Sequence, residues 1–448
     1  MKNPFFKTLF FVFVTAIMLW AQANPLNMTT QQMIKDMGLG INLGNTLESA
    51  CDWKVNCWIT GNTVNAYETA WGSPTITKAM IDGYANSGFK TVRIPVSWSN
   101  LMTGDNAGGT YTISPALLNR VEQVVDWVLE NNMYAIVNIH WDGGWWERFP
   151  TDSAECMRKY VRVWEQVGQR FSNHSGYVVF ESLNEEGVWQ NVWDRWSGNT
   201  NGKARAYGLL NAINQRFTAL IRSQSGNNPN RHLLIAGYAT DTDLTVDPMF
   251  RMPTDSRNRQ AVSVHYYDPF SFTHLERDES WAAMRLTWGT TQDINELNTQ
   301  MNKLKTRFVD QGVPVIVGEY GMAVQGRTAA QVRNYTVAVT RAIYERDMLP
   351  VLWAVQLAPS RDSLLYYNRH TRTFPDPPML TELRAILPSS SSNPPSSSSM
   401  APPSSSSNPP SSSSVTPSSS SAITITCTLP AGLVAGTNVN AAAQRGYL

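Results

Sequence analysis

VVFESLNEE, Val178 to Glu186, begins as a short apolar, β-branched run and ends in two adjacent polar residues, Asn184 and Glu185. From Tyr177 onward the run reads as a buried strand, because β-branched and aromatic side chains suit a pleated, covered surface. A carboxylate where such a strand ends serves no packing purpose. PVIVGEYG, Pro314 to Gly321, repeats the pattern, with Glu319 after its apolar run. Two strand-end carboxylates so far apart in sequence converge only if both strands lie parallel in one sheet or barrel, with their C-terminal ends on one face. In a (β/α)8 barrel that face carries the chemistry.

Working outward, strand-like and helix-like segments alternate between Asn24 and Leu387, the order of a parallel sheet wrapped by helices. Strands are expected at Gly40 to Leu43, Thr91 to Pro95, Tyr134 to Ile139, Tyr177 to Leu183, His232 to Ala236, Ala261 to His265, Pro314 to Gly318 and Leu349 to Val355. The 3.6-residue apolar period predicts helices at Thr77 to Ser87, Pro115 to Asn131, Ser153 to Ser172, Ala204 to Ser223, Asp293 to Gln311, Ala329 to Arg346 and Pro378 to Leu387. Gly237 to Arg259 lacks that period and reads as an irregular loop. Thr30 to Met37 is amphipathic and is expected to close the barrel floor. Connections before strands are short and carry Gly, whereas those after strands are long and rich in Trp, which marks the working face.

Outside the barrel, composition sets the address. Lys2 and Lys7, an apolar run from Leu9 to Trp20 and Ala21-Gln22-Ala23 form the order of a secretory signal, with cleavage expected after Ala23 (residues 1–23). The run is shorter than a spanning helix needs, so no stable membrane insertion is expected after cleavage. Residues 24–387 form the barrel, 388–421 a Ser/Pro-rich linker of repeated Pro-Pro and four serines, and 422–448 a truncated accessory module or disordered tail. The chain is expected to be secreted to the extracellular space or cell surface of a bacterium and to act as a monomer. With a formal net charge of +1 and no long basic run, a nucleic-acid partner is excluded. Of the four cysteines, Cys51 and Cys57 are close enough for a local bridge, leaving Cys156 and Cys427.

Two facing carboxylates are the minimum equipment for hydrolysing a glycosidic bond. One must arrive protonated to assist the leaving oxygen, and the other must be ionised to attack the anomeric carbon. Arg93, with its fixed fork of donors, suits the second task.

The strand-end motifs resemble those of the glycoside hydrolase family 5 cellulases. GINLGNTLE (Gly40 to Glu48), ETAWGSP (Glu68 to Pro74), TVRIPVSW (Thr91 to Trp98), VNIHWDGGW (Val137 to Trp145), FESLNEE, SVHYYDP (Ser263 to Pro269), VGEYG (Val317 to Gly321) and LWAVQ (Leu352 to Gln356) occur in the family's order. The resemblance covers Gly38 to Gln356 and implies a (β/α)8 TIM barrel, a retaining mechanism, no cofactor and no metal. It implies that Glu185 is the acid/base and Glu319 the nucleophile, and that Arg93, His140, Asn184, His265, Tyr267 and Trp353 contact the substrate or the nucleophile. Close relatives often carry His-His where this chain has His140-Trp141, which trades a polar ring for a stacking surface. Trp71, Trp98, Trp141, Trp145, Trp146 and Trp189, on loops after strands, are candidate sugar platforms, whereas Trp127 and Trp164 read as core. Glu186 reads as a solvated bystander, and Glu48 and Glu68 are given no role.

The implied activity is endo-cleavage of internal β-1,4 bonds in cellulose and related β-glucans, with the polysaccharide as the partner. Xyloglucan, mixed-linkage glucan, xylan and mannan are alternative substrates within the family. A carbohydrate-binding protein that keeps the barrel without catalysis is the reading from another class. Six histidines with no His-x-His pair argue against a metal-dependent hydrolase.

Overall fold

The computed structural model describes residues 24–54, 56–275, 277–356 and 364–388. The expected signal segment, the serine-rich linker beyond Pro388, the C-terminal tail and Cys427 lie outside them. Eight parallel strands close into a barrel in chain order: β1 (Gly40–Asn42), β2 (Thr91–Ile94), β3 (Tyr134–Asn138), β4 (Val178–Glu181), β5 (Leu233–Asp241), β6 (Gln260–Tyr266), β7 (Val315–Tyr320) and β8 (Leu349–Leu352). All eight coincide with the expected segments to within a few residues, except that β5 runs on to Asp241. The major helices are Lys78–Asn86, Pro115–Glu130, Ser153–Arg170, Lys203–Ser223, Thr291–Arg307, Ala329–Tyr344 and Pro377–Arg384, each at a sequence-predicted position. The fifth connection is irregular as expected, with only a short helix, Thr242–Thr245. No helix among the described residues is long and apolar enough to cross a membrane.

Strand alternation explains how this barrel can be greasy at one end and polar at the other. Side chains two apart share a face, so Tyr134, Ile136, Asn138 and His140 of β3 and its exit all belong to one face. Around the barrel the lower members of that face form one apolar layer: Tyr134, Ile136, Val179, Leu234, Ala261, Ile316, Leu349 and Val351. Helix Thr30–Met37 seals the layer from below with Met33, Ile34 and Met37, its first turn fixed by a capping box between Thr29 and Gln32. The barrel floor therefore closes as its amphipathic pattern predicts.

One step toward the C-terminal ends the same face turns polar, with Asn42, Arg93, Asn138, Glu181 and Ser263 all fully buried. This layer could not exist unpaired in a dry interior. Its members bond to one another and support the residues above them.

Candidate active site

Arg93 of β2 is the hub. Its Nε donates to Glu181 Oε2 at 2.6 Å, its Nη1 to Glu319 Oε1 at 2.7 Å and Asn42 Oδ1 at 3.1 Å, and its Nη2 to Asn184 Oδ1 at 2.8 Å. Burial pushes the guanidinium pKa down, but the charges of Glu181 and then Glu319 more than offset this and hold it above its ordinary value. Arg93 thus both stitches the barrel interior and touches the strand-end carboxylate.

Glu319 reaches the cleft because β7 is irregular. The β6–β7 register shifts between Val264 and His265, and the β7–β8 register between Val317 and Tyr320. Strict alternation from Ile316 would have pointed residue 318 inward; that residue is Gly, its carbonyl accepts from Asn42 Nδ2 at 2.9 Å, and the next side chain is re-aimed into the barrel mouth. There Glu319 Oε2 accepts from the Tyr267 hydroxyl at 3.0 Å. Burial raises the Glu319 carboxyl above its ordinary value and Glu185 adds to this, while His265 and Arg93 pull against it. Burial also holds Tyr267 well above its ordinary value, so it stays a donor.

Glu185 leaves β4 four residues after Glu181 and turns toward β6. His265 Nδ1 lies 2.8 Å from Glu185 Oε1 and 3.5 Å from Glu319 Oε2. One oxygen of each carboxylate and a ring nitrogen of His265 all lie within 4.8 Å of one another. Such a trio could also suit a cation, but Arg93, Tyr267 and His265 already engage these oxygens. Burial pushes His265 down to about 4 and His140 well below its ordinary value, so both rings are neutral at neutral pH. His140 stacks on Trp353, the ring centroids 5.7 Å apart and the planes 3° from parallel, making one wall beside the carboxylates.

The structure therefore brings together Glu185, Glu319, Arg93, His140, Asn184, His265, Tyr267 and Trp353. Trp141 is partly exposed at the rim, 6.2 Å from the Trp71 ring. Trp145 is a correction: it is only 4% exposed, its indole N–H donates to Asp142 Oδ2 at 2.7 Å, and the Lys159 ammonium sits 4.9 Å from its ring. Asp142, Gly143 and Gly144 all take positive φ, and this turn folds the next indole back into the wall. Trp98 and Trp189 are likewise buried and leave the list of platforms, while Trp146 stays partly exposed.

The reading of Glu186 as solvated needs revision too. Glu186 is 1% exposed; it accepts the Asn184 backbone N–H, and burial holds its pKa well above the ordinary value. It shapes the turn that presents Asn184 and Glu185. Glu48 is buried where it accepts from the backbone N–H groups of Asn45 and Thr46, and burial raises it to about 7. Glu68 is held by Arg120 at 2.7 Å and by the Ile76 N–H at 2.6 Å. A bridge joins Cys51 to Cys57, and Cys156 is free and buried.

Glu181 escaped the sequence reading altogether. The available signal was a charged residue inside an apolar strand, in phase with Val179 on its inward face.

Comparison with known proteins agrees with the geometry. Residues 56–358 match the family Cellulase (glycosyl hydrolase family 5). The chain is 35% identical over 360 residues to Endoglucanase A of Paenibacillus barcinonensis, covering 74% of this chain and 84% of that protein. Among solved structures it is similar to a broad-specificity endoglucanase from an uncultured bovine rumen ciliate, with 30% identity, a TM-score of 0.70, and coverage of 81% of this chain and 99% of that one. A family 5 lichenase from Caldicellulosiruptor sp. F32, solved as a mutant with cellotetraose, gives 29% identity, a TM-score of 0.72, and coverage of 82% and 97%. The chain belongs to the cellulases of glycosyl hydrolase family 5 and is a retaining glycoside hydrolase of the endoglucanase class.

Proposed function

We propose that the chain is a secreted endoglucanase that cuts internal β-1,4 bonds of cellulose and mixed-linkage β-glucan, with Glu319 as nucleophile and Glu185 as acid/base. The observation that carries the reading is the approach of the two carboxylates to within 4.8 Å around His265, with Arg93 bound to Glu319. Retaining enzymes hold the pair about 5–5.5 Å apart and inverting ones about 6.5–9.5 Å, to admit a water. The Glu319 carboxylate attacks the anomeric carbon as its bond to the leaving oxygen breaks and Glu185 gives its proton to that oxygen. Water then attacks the glycosyl ester, Glu185 takes the water's proton, and Glu319 is released. Asn184, fixed by Arg93, is placed to hold the sugar 2-hydroxyl, a contact that strengthens as the oxocarbenium-like state develops.

Proton NMR during early hydrolysis of barley β-glucan tests this reading: the β anomer of the new reducing end should appear first. An α anomer first would overturn the paired roles. A panel of cellulose, barley β-glucan, xyloglucan, xylan and mannan settles the substrate, and preference for mannan over every glucan rejects the glucanase reading.

The exit loop of β6 supports an extended glucan. From Tyr267, against Glu319, ring contacts run outward through His274 at 4.5 Å, Phe270 at 4.5 Å and Trp281 at 5.8 Å. Phe270 is 38% and Trp281 56% exposed. Trp281→Ala is expected to raise KM for barley β-glucan about 3- to 10-fold, the worth of one aromatic contact. An aryl cellobioside, with only two glucosyl units, should keep its kcat/KM, and initial-rate assays on both substrates check the contrast.

A further inference from the structure

A two-carboxylate mechanism has no need of a third carboxylate, yet Glu181 lies fully buried beneath the pair. Both of its oxygens are taken: Oε2 accepts from Arg93 Nε at 2.6 Å and Asn138 Nδ2 at 3.1 Å, and Oε1 from Ser263 Oγ at 2.7 Å. Burying a carboxylate is costly, and it persists only where partners compensate. Here the compensation comes from three other strands, since Arg93 is on β2, Asn138 on β3 and Ser263 on β6, around Glu181 on β4.

The guanidinium is planar, so fixing one edge fixes the others. With Nε bound to Glu181, the fork can turn only toward the cleft, where Nη1 meets Glu319 and Nη2 meets Asn184. The same pairing changes the potential at Glu319. One buried guanidinium faces two carboxylates, so the positive potential of Arg93 at Glu319 is offset in part by the negative charge of Glu181.

We propose that Glu181 is a positioning residue that sets both the orientation of Arg93 and the net electrostatic potential at Glu319, and through them the nucleophilicity of Glu319. This rests on the reading of Glu319 as nucleophile. The charged and titratable groups facing Glu319 are Arg93 from β2, Glu185 beyond β4, His265 from β6 and Tyr267 just after it. Those near Glu181 are Arg93, His265 and Glu186. Removing the Glu181 charge removes the negative potential that opposes Arg93 at Glu319. That carboxylate then ionises more readily and attacks less well, and with its rear anchor gone Arg93 holds Asn184 less tightly.

Glu181→Gln keeps the shape and drops the charge, whereas Glu181→Asp keeps the charge and shortens the reach. On barley β-glucan, E181Q is expected to lower kcat roughly 10- to 100-fold, the scale of a small misplacement at a reacting centre, with KM within about twofold. The acid limb of its kcat/KM profile should move about one pH unit downward, as expected when a nearby negative charge is lost. E181D should lose kcat with the acid limb unmoved. Wild-type kcat in E181Q, or a loss in both variants with an unmoved limb and equal falls in Tm, would overturn the proposal and leave Glu181 as scaffold. If E181Q does not fold, Ser263→Ala frees Glu181 Oε1 alone; a several-fold lower kcat at unchanged KM supports the proposal, and wild-type kinetics overturn it. An active Glu319→Gln enzyme would instead indict the nucleophile assignment, so the two failures are distinguishable.

Discussion

Glu319→Gln is expected to abolish turnover of every substrate, with kcat falling at least about 10⁴-fold, or roughly 5.5 kcal/mol of barrier. The substitution is nearly isosteric. A glutamine carbonyl can still accept from Arg93 Nη1, where Glu319 Oε1 now accepts at 2.7 Å, and its amide can donate to the Tyr267 oxygen, 3.0 Å from Oε2. Arg93 keeps Glu181 as its counter-charge, so the fold should survive with a Tm close to wild type. What disappears is the anionic oxygen that forms the glycosyl ester. Binding of cello-oligosaccharides, followed by calorimetry, should therefore persist while turnover stops. Glu319→Ala with added azide extends the test, because azide entering the vacated space attacks from the nucleophile's side and gives an α-glycosyl azide, whereas azide rescue of Glu185→Ala gives the β product. Wild-type turnover by E319Q would sink the assignment, and a swapped pair of azide products would exchange the two roles.

The barrel and most of its mouth could be read in the sequence because period-2 strands, apolar helix faces and strand-end polar residues are local signals. Gly40 to Leu43 and Leu349 to Val355 read as strands whether or not they meet, and the closed barrel brings them together. What the sequence concealed depends on backbone turns and on third dimensions. Trp145 follows a Gly-Gly turn whose left-handed geometry reverses the side chain's direction, and no spacing rule reports that. Glu186 sits beside Glu185 in sequence but is buried, because its carboxylate folds back onto the Asn184 backbone N–H. The irregularity in β7 that re-aims Glu319 is equally silent, although the Gly318 that accommodates it is visible. Glu181 was hidden by its own strand: a lone charge in VVFE reads as strand until its partners on three other strands are in place.

Those partners make Arg93 the residue whose loss should reach furthest into both stability and catalysis. Arg93→Met fills similar volume with no charge and leaves Glu181 and Glu319 facing each other across a dry interior. Removing one member of a buried ionic network costs about 3–5 kcal/mol, so Tm should fall by many degrees at neutral pH. The loss should depend on pH in a defined direction. Burial already raises Glu319, and Arg93 is one of the charges holding it back; without Arg93 that carboxyl rises further above its unfolded value. The folded state then binds more protons than the unfolded one, and stability falls as pH rises from the unfolded carboxylate range toward the raised folded value. Calorimetric scans from pH 5 to pH 8 should show the Tm gap between R93M and wild type widening with pH. Arg93→Lys separates charge from shape. Its ammonium restores a cation and should remove most of that pH dependence, yet it cannot serve Glu181, Asn42, Glu319 and Asn184 at once from a single nitrogen. Its kcat/KM should remain about 10²- to 10³-fold below wild type, because Asn184 and Glu319 are no longer held in register. If R93K recovered full activity, Arg93 would be a point charge and the geometric role of its fork would fall. A flat Tm gap in R93M would show instead that the carboxylates do not depend on Arg93 for their ionisation.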